Sequence, residues 1–187
     1  MSAVPEEVIK EVKIDLGCGP NKQAGFVGVD SLAFDGKVDI VLDLGKDKWP
    51  WEDNSVDEFH SSHFLEHLDA MERVHFWNEL HRVLKSGKGG RLIVPYWNAA
   101  RAFGDPSHKW PPISEWHFLY LNKTWRKANA PHSDSEHVSW GYNCDFDTVT
   151  AYALHPELIT RAPEYQQFAI QWYREAAQDS ITTVTKK

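Results

Sequence analysis

Residues 12–20 read VKIDLGCGP, and residues 28–30 of the next apolar segment read GVD. The first run alternates apolar and polar residues and then breaks at Gly17 and Gly19, which is typical of a strand entering a tight turn. Because glycine has no Cβ, both residues can adopt positive φ and let a ligand approach the backbone. Asp30 closes the second predicted strand, and open α/β sheets bind ligands at the carboxyl ends of strands. We therefore predict that Gly17 and Asp30 face one crevice.

The composition is that of an ordinary globular protein. Of 187 residues, 42% are hydrophobic and 25% charged, which favours one domain with a substantial core. No apolar run approaches a membrane span, and the first residues carry no signal-peptide pattern. Cys18 and Cys144 provide no disulfide framework, so we expect a cytoplasmic setting. A net charge of −7 with scattered basic residues disfavours a nucleic-acid partner, and no pattern indicates an oligomeric state.

The order of the predicted elements indicates an α/β fold. Strands at residues 12–16 and 26–30 are separated by only nine residues, which is too short for an ordinary crossover helix. The sequence leaves open whether this crossover is reduced to a turn or the strands pair in another way. Asp69, with Glu72 three residues later, predicts the start of a helix that ends at Gly87. Other predicted elements are a loose arm or short helix at residues 1–11, strands at 38–44, 56–62, 91–97, 145–154 and 180–185, and a helix at 163–177.

Residues 98–143 have no clean period. They contain four prolines and several tryptophans. Long segments without regular structure are usually lids or substrate insertions, and aromatic walls with a few polar groups are typical of ligand sites. We predict that this segment covers a substrate pocket; the alternative is that its aromatic residues fill a small satellite core.

Six short motifs follow one another along the first half of the chain. They are DLGCGP at residues 15–20, GVD at 28–30, DL at 43–44, DNSVD at 53–57, SHFLEHL at 62–68 and RVLKSG at 82–87. In order and spacing they resemble the class I, Rossmann-like S-adenosylmethionine-dependent methyltransferases. The resemblance implies a three-layer α/β sandwich whose seven-stranded sheet is mostly parallel, with the last strand antiparallel. It implies a single domain, 1–187, with a cofactor-binding half at 12–97, a substrate or lid insertion at 98–143, and C-terminal strands and a helix at 144–187.

The resemblance also implies S-adenosylmethionine as the cofactor. The glycine turn would hold its methionine end beside Asp15, and Asp30 would bind the ribose hydroxyls. Asp43 and the Leu44 amide would meet the adenine. The residues implied to line the sulfonium and methyl are Ser62, His63 and Leu65, and the other implied cofactor residues are Asp15, Gly17, Cys18, Gly19, Asp30, Ser31, Asp43 and Leu44.

Methyl transfer needs little from the protein, because a sulfonium methyl is already activated. The protein must chiefly align the acceptor and exclude water. Two predicted catalytic residues, His63 and His108, could take a proton from an acceptor hydroxyl or amine. His108 lies in a DPSHK segment, residues 105–109, that resembles a segment of some small methyltransferases. We predict O- or N-methylation of a small molecule, with no metal among the site residues.

Two other functions remain open at this level. Residues 63–67, HFLEH, match the inverted zinc-peptidase pattern, in which His63 and His67 bind zinc and Glu66 activates water. This zinc-dependent hydrolase would need a helix running through residues 58–86. The other possibility is a protein that binds S-adenosylmethionine without catalysis. A nicotinamide cofactor is disfavoured, because Lys22 occupies the place of the third glycine.

Overall fold

The computed structural model describes residues 11–187, apart from the side chains of residues 134–136. Except for Glu11, the predicted N-terminal arm lies outside the described residues. The strands are β1 (Lys13–Leu16), β2 (Val27–Asp30), β3 (Ile40–Val41), β4 (Val56–Ser62), β5 (Leu84–Pro95), β6 (Phe146–Leu154) and β7 (Ala177–Lys186). The helices are α1 (Ala70–Val83), α2 (Arg101–Gly104), α3 (Glu115–Leu119), α4 (Lys123–Asn129), α5 (Pro131–Ser139), α6 (Pro156–Ile159) and α7 (Pro163–Trp172).

The seven strands form one sheet in the order β3-β2-β1-β4-β5-β7-β6. The pairs among β1 to β5 are parallel, whereas β7 is antiparallel to both β5 and β6. Of the described strands, only β7 therefore runs against the others. This confirms the predicted mostly parallel, seven-stranded α/β sheet with an antiparallel last strand. Among residues 11–187, no helix combines the length and the hydrophobicity that crossing a bilayer requires.

The short first crossover is a turn. β1 and β2 are parallel neighbours, and the residues between them form no helix. The chain reverses through Gly17 and Gly19, which have φ of 69° and 53°. The amides of Gly17 and Cys18 donate to the Val29 carbonyl at 2.9 and 3.1 Å, which ties the turn to β2. These two bonds help to hold β1 and β2 in register without a crossover helix.

Helix α1 begins where the sequence predicts and ends earlier. Leu84 leaves the helix with ψ of 139° and starts β5 opposite Val56 of β4. The last helical carbonyls accept from the amides of Asn54 and Ser55 at 2.9 and 2.8 Å, so the end is satisfied by the preceding loop. The predicted end at Gly87 is wrong, because Gly87 lies inside β5 with φ of 73°.

The N-terminus of α1 has a complete capping box. Asp69 Oδ1 accepts from the amides of Met71 and Glu72, each at 2.9 Å, and Glu72 Oε2 accepts from the Asp69 amide at 2.9 Å. We expect Asp69→Ala to lower the free energy of unfolding by about 1 kcal/mol, because the first helical amides lose their acceptor. Urea unfolding measures this loss. Ser114→Ala is the matched control, since Ser114 precedes α3 without a side-chain cap and should change stability by less than about 0.5 kcal/mol. Equal effects of the two substitutions would contradict the capping role.

Other element bounds also differ from the predictions. β3 has two residues instead of seven, and just before it the exposed Asp39 carboxylate accepts from the Gly28 amide at 2.7 Å. β5 and β7 begin earlier than predicted, and α7 ends at Trp172. Residues 98–143 form four short helices, α2 to α5. Helices of four to nine residues repeat too few turns to give a periodic apolar pattern, which explains why the sequence showed none.

The main core lies between the sheet and α1, and it extends into the segment 98–143. From α1 the buried side chains are Arg73, Val74, Phe76, Trp77, Leu80 and Val83. Ile113, Phe118 and Leu121 join the same core. Part of the segment predicted as a lid therefore belongs to the main core, rather than to the separate satellite core of the alternative interpretation.

His117 packs against this core. Trp77 Nε1 donates to His117 Nε2 at 3.0 Å, so that nitrogen is unprotonated. Burial lowers the pKa of His117 to about 3, and the positive charge of Arg73 adds to the effect. The neutral imidazole is therefore part of the folded state across the ordinary pH range.

Acidification should therefore destabilise the protein through His117. The pKa of His117 is lower in the folded than in the unfolded chain, so the unfolded chain binds more protons and stability falls as pH drops below about 6.5. From pH 7 to pH 5 we expect His117 to account for a loss of about 2 kcal/mol. Urea unfolding of wild type and His117→Gln at both pH values isolates this contribution. The same pH dependence in both proteins would contradict it.

Candidate functional site

Two cavities lie at the carboxyl ends of the central strands. The glycine-turn cavity, about 400 Å³, is lined by Asp15, Gly17, Cys18, Gly19, Pro20, Asn21, His60, Ser62 and His63. The histidine cavity, about 570 Å³, is lined by His63, Glu66, His67, Pro95, Arg101, Gly104, Asp105, Pro106 and His108. His63 lines both, so the two cavities are neighbours. Of the residues predicted for the site, these cavities bring together Asp15, Gly17, Cys18, Gly19, Ser62, His63 and His108.

The two glycines of the turn have different surroundings. A Cβ on Gly17 would lie 2.2 Å from Phe64 Cγ, so the aromatic ring packs directly onto the backbone there. A Cβ on Gly19 would meet no atom within 4 Å among the described residues. Gly17 therefore serves close packing behind the turn, whereas Gly19 leaves the backbone open on the cavity side.

Asp15 holds the segment after the glycine turn and the His60 side chain by hydrogen bonds. Its side chain is buried, with 2% of the residue exposed. Oδ2 accepts from the Gln23 amide at 2.7 Å, and Oδ1 lies 2.8 Å from His60 Nδ1. Because a carboxylate accepts only, His60 carries its proton on Nδ1 in this contact. Asp15 thus fixes both the glycine turn and a cavity-lining imidazole, which the sequence did not indicate.

Asp30 links the end of β2 to the turn. Its Oδ2 accepts from the Gly19 amide at 2.9 Å, and Oδ1 accepts from the Leu32 amide at 3.1 Å. An ionised carboxylate has about four acceptor positions, so Asp30 can still accept from a ligand diol. Asp30 therefore contacts the glycine turn through Gly19, but it is not among the residues that line the glycine-turn cavity, and a crevice shared with Gly17 stays a prediction.

Five predicted site residues line neither cavity, namely Asp30 and the four described next. Asp43 accepts from the Gly45 amide at 3.0 Å and from Lys46 Nζ at 3.2 Å, next to β3. Ser31 is exposed, and the side chains of Leu44 and Leu65 are buried in the core. Contacts from Leu44 or Leu65 to a ligand would therefore have to come from the backbone.

His63 follows the last residue of β4 and has φ of 54°, the left-handed region that a side chain rarely adopts. Its amide donates to the Ile93 carbonyl at 2.9 Å, which fixes this conformation. The half-buried imidazole lies between two carboxylates, with Nδ1 at 3.3 Å from Glu66 Oε1 and Nε2 at 3.8 Å from Asp179 Oδ1. Glu66 is the main cause of the raised pKa of His63. Strained residues of this kind concentrate at functional sites.

His108 lies across the histidine cavity on the segment after α2. Its Nδ1 is 3.2 Å from the Ala102 carbonyl, and its ring contacts His67 edge-on with centroids 4.9 Å apart. His67 and Glu66, which the prediction of a transfer site did not include, therefore join His108 in one wall. The HFLEH and DPSHK motifs contain these residues, but the two motifs lie far apart in the sequence, so their contact could not be predicted.

The helical geometry required by the zinc-peptidase pattern is absent from residues 56–67, all of which the structure describes. Residues up to Ser62 belong to β4, and Leu65–His67 form a single 3₁₀ turn. His63 and His67 therefore do not share a helical face, and the long helix that the zinc-dependent alternative requires is not formed, whereas the predicted strand at 56–62 is present. The β-strand prevails because Phe59 and Ser61 are buried within the sheet.

The tryptophans and tyrosines of the 98–143 segment do not line these two cavities; Tyr120, Trp140 and Tyr142 line a third cavity of about 370 Å³. Trp116 is 57% exposed, packs on Trp125 and lines neither of them. The wall of the histidine cavity comes from α2 and the polar residues after it. The segment thus contributes residues 101–108 to the wall of the histidine cavity, other residues to the main core, and further residues to the third cavity.

Comparisons with known proteins agree with the sheet topology. Residues 29–94 match the family described as a methyltransferase domain, a range that starts after the glycine turn. An SAM-dependent methyltransferase from Archaeoglobus fulgidus superposes with a TM-score of 0.63 at 18% identity, over 95% of this chain and 86% of that one. The fold is that of the class I methyltransferases. No curated protein matches the sequence.

Two further structures share the methyltransferase fold. An S-adenosylmethionine-dependent methyltransferase from Mesorhizobium loti has a TM-score of 0.51 at 16% identity, covering 95% of this chain and 91% of that one. A geranyl diphosphate C-methyltransferase from Streptomyces coelicolor, with Mg²⁺, geranyl diphosphate and S-adenosylhomocysteine bound, has the same score and identity, covering 95% and 71%. One fold can serve many substrates, so these likenesses do not identify a function for this chain.

Proposed function

We propose that this chain is an S-adenosylmethionine-dependent methyltransferase that methylates a small molecule. The observation that carries the proposal is the pair of adjoining cavities at the strand ends, which share His63. One cavity would hold the cofactor and the other the acceptor. A methyl group could then pass between them beside His63.

The glycine-turn cavity fits such a cofactor. Its volume lies within the range of small-molecule sites. Gly19 leaves the backbone open, and Asp30 retains acceptor positions for the cis hydroxyls of a ribose. The turn at Gly17, Cys18 and Gly19 would hold the methionine end. Asp43 and the Leu44 amide, further along the same sheet edge, would receive the adenine.

S-adenosylmethionine bound there would supply a methyl group on a positively charged sulfur. On transfer, the acceptor lone pair would form the new bond to the methyl carbon, the carbon–sulfur electron pair would stay on sulfur, and the acceptor would release a proton. The residues of this chain orient the acceptor in the histidine cavity and exclude water from it. His63 or His108 would take the proton, because their imidazoles face that cavity. Ser62 lies beside His63 and would line the methyl.

The acceptor class follows from the charge and the cavity walls. A net charge of −7 opposes binding to a polyanion, and the histidine cavity is of small-molecule size. We therefore infer a small acceptor with a hydroxyl or amine. The alternative is a protein that binds S-adenosylmethionine without catalysis, in which case the histidine cavity would serve no transfer.

The test is a transfer assay with S-adenosylmethionine labelled in the methyl group and a panel of phenols, alcohols and amines. We expect wild type to label at least one acceptor class, and His108→Ala to slow transfer while its affinity for S-adenosylhomocysteine stays within about twofold of wild type. Binding of S-adenosylhomocysteine without transfer to any acceptor would contradict methyl transfer and favour the non-catalytic alternative. An unchanged rate in His108→Ala would leave His63 as the candidate base.

A further inference from the structure

Three metal-binding side chains converge in the histidine cavity. Glu66, His67 and His108 each offer a ligand atom, and these atoms lie within 4.8 Å of one another. All three residues line the cavity. We propose that Glu66, His67 and His108 bind a divalent transition-metal ion in the wall of the histidine cavity. The predicted methyltransferase site contains no metal ligand. The zinc-peptidase pattern combines Glu66 and His67 with His63 on one helix, not with His108.

Glu66 provides the strongest independent sign of a bound cation. The residue is only 4% exposed, and neither carboxylate oxygen accepts a hydrogen bond from any described residue. His63 Nδ1 lies 3.3 Å from Oε1 and accounts for one oxygen at most. A buried carboxylate without donors is costly, and buried charges are normally paired or bound to metal. A cation between Glu66 and the two histidines would remove this cost.

The hydrogen bonds of His67 leave one of its nitrogens ready for a metal. Ser107 Oγ donates its single proton to Asp105 Oδ1 at 2.6 Å. The same oxygen lies 3.1 Å from His67 Nδ1, so it must accept the Nδ1 proton there. The lone pair of His67 is consequently on Nε2. Fixing the tautomer through the second nitrogen is the usual arrangement around metal-binding histidines.

His108 has the same arrangement through a different partner. Its Nδ1 lies 3.2 Å from the Ala102 carbonyl, which can only accept, so Nδ1 carries the proton. Its Nε2 therefore has the lone pair. Asp105 Oδ2, 3.8 Å from this nitrogen, adds negative charge close to the site. Two histidines thus present unprotonated nitrogens beside a buried carboxylate, of which at least one oxygen has no hydrogen-bond partner among the described residues.

Two nitrogens and one carboxylate oxygen favour a transition metal. Zinc and cobalt accept this donor set, and such three-ligand sites leave a position open for water or substrate, whereas magnesium prefers oxygen ligands. Ligand atoms about 2.1 Å from a tetrahedral ion lie roughly 3.4 Å apart. Binding an ion would therefore require the present spacing of up to 4.8 Å to shorten by up to about 1.4 Å.

A metal here would also narrow the acceptor class, and this consequence rests on the proposed function. The open coordination position would face the cavity assigned to the acceptor, next to His63. A hydroxyl bound to a divalent ion loses its proton more readily and is held in place. Because His108 Nε2 would bind the metal, His63 would then be the imidazole that takes this proton. The site therefore favours an oxygen acceptor over an amine.

Calorimetric titration of the chelator-treated full chain with ZnCl₂, CoCl₂ and MgCl₂ tests the metal site. We expect zinc and cobalt to bind at one ion per chain, and magnesium to bind far more weakly. Glu66→Gln and His67→Ala should each lower zinc affinity by at least about 100-fold, because each removes one of three ligands. His132→Ala removes an exposed histidine outside both cavities and should leave the affinity unchanged.

Circular dichroism of each variant establishes whether it is folded. If substitution of the buried Glu66 disturbs the core, the His67→Ala variant still tests the site, because His67 is partly exposed. Absence of saturable zinc and cobalt binding in wild type would overturn the proposal. Unchanged affinity in folded Glu66→Gln or His67→Ala would overturn it as well. Titration with S-adenosylhomocysteine in the presence of chelator reports on the proposed function separately. Metal binding without S-adenosylhomocysteine binding would support this site and count against the function.

Discussion

Gly17→Ala is expected to destabilise the fold by about 2–5 kcal/mol. The new Cβ would lie 2.2 Å from Phe64 Cγ and 2.5 Å from Phe64 Cβ, so the ring cannot escape by rotating its far end. Overpacking of this kind costs about 1–3 kcal/mol, and alanine at φ of 69° adds about 1–2 kcal/mol. Chemical denaturation of wild type and variant measures the sum.

Gly19→Ala is the matched control for this prediction. Gly19 also has positive φ, 53°, but a Cβ there meets no described atom within 4 Å. Only the backbone penalty of about 1–2 kcal/mol should appear. The difference between the two variants therefore reports the contact with Phe64. If Gly17→Ala and Gly19→Ala lost the same stability, the packing of Phe64 onto the turn would be refuted.

Asp30→Ala is expected to weaken binding of S-adenosylhomocysteine by about 1.5–3 kcal/mol. Hydrogen bonds to a charged acceptor carry about this energy, which corresponds to roughly 10- to 150-fold in Kd. The substitution also frees the Gly19 amide, to which Asp30 Oδ2 is bonded at 2.9 Å. Loss of the ribose contact and loosening of the turn both act in the same direction. Equilibrium dialysis of variant and wild type gives the two dissociation constants.

The matched control is Asp53→Ala, which removes an exposed carboxylate that pairs with Arg82 away from both cavities. It changes the net charge by the same amount, so a general electrostatic effect would appear in both variants. We expect Asp53→Ala to bind S-adenosylhomocysteine like wild type. Equal affinities of Asp30→Ala and wild type would exclude Asp30 from the cofactor site.

Much of the fold could be predicted from local sequence patterns. The alternation before Gly17 fixed β1, and the spacing of Asp69 and Glu72 located the start of α1, because both depend on neighbouring residues only. The end of α1 could not be read in this way. It is set by pairing of Leu84 with Val56 and by amides of the preceding loop, which are tertiary contacts. Gly87 looked like a helix end and is a strand residue.

The site shows the same division. The sequence predicts that Gly17 and Asp30 face one crevice, whereas the hydrogen bond in the structure joins Asp30 to Gly19, two residues further along the turn. It did not predict that Glu66, His67 and His108 converge, since the third residue comes from a distant segment without periodic pattern. The HFLEH motif indicates that these side chains could bind a metal, but the pattern requires a helix, whereas the backbone here is a strand end followed by a 3₁₀ turn. Only the strand-to-turn geometry after Ser62 shows which of its residues meet His108.

Calorimetric titration of the wild-type chain with S-adenosylhomocysteine tests the central claim, that the glycine-turn cavity binds this cofactor. We expect saturable binding of one molecule per chain, and a rise in melting temperature with ligand concentration, because a ligand that binds only the folded state stabilises it. Absence of saturable heat at millimolar ligand, together with an unchanged melting temperature, would contradict the proposed methyltransferase.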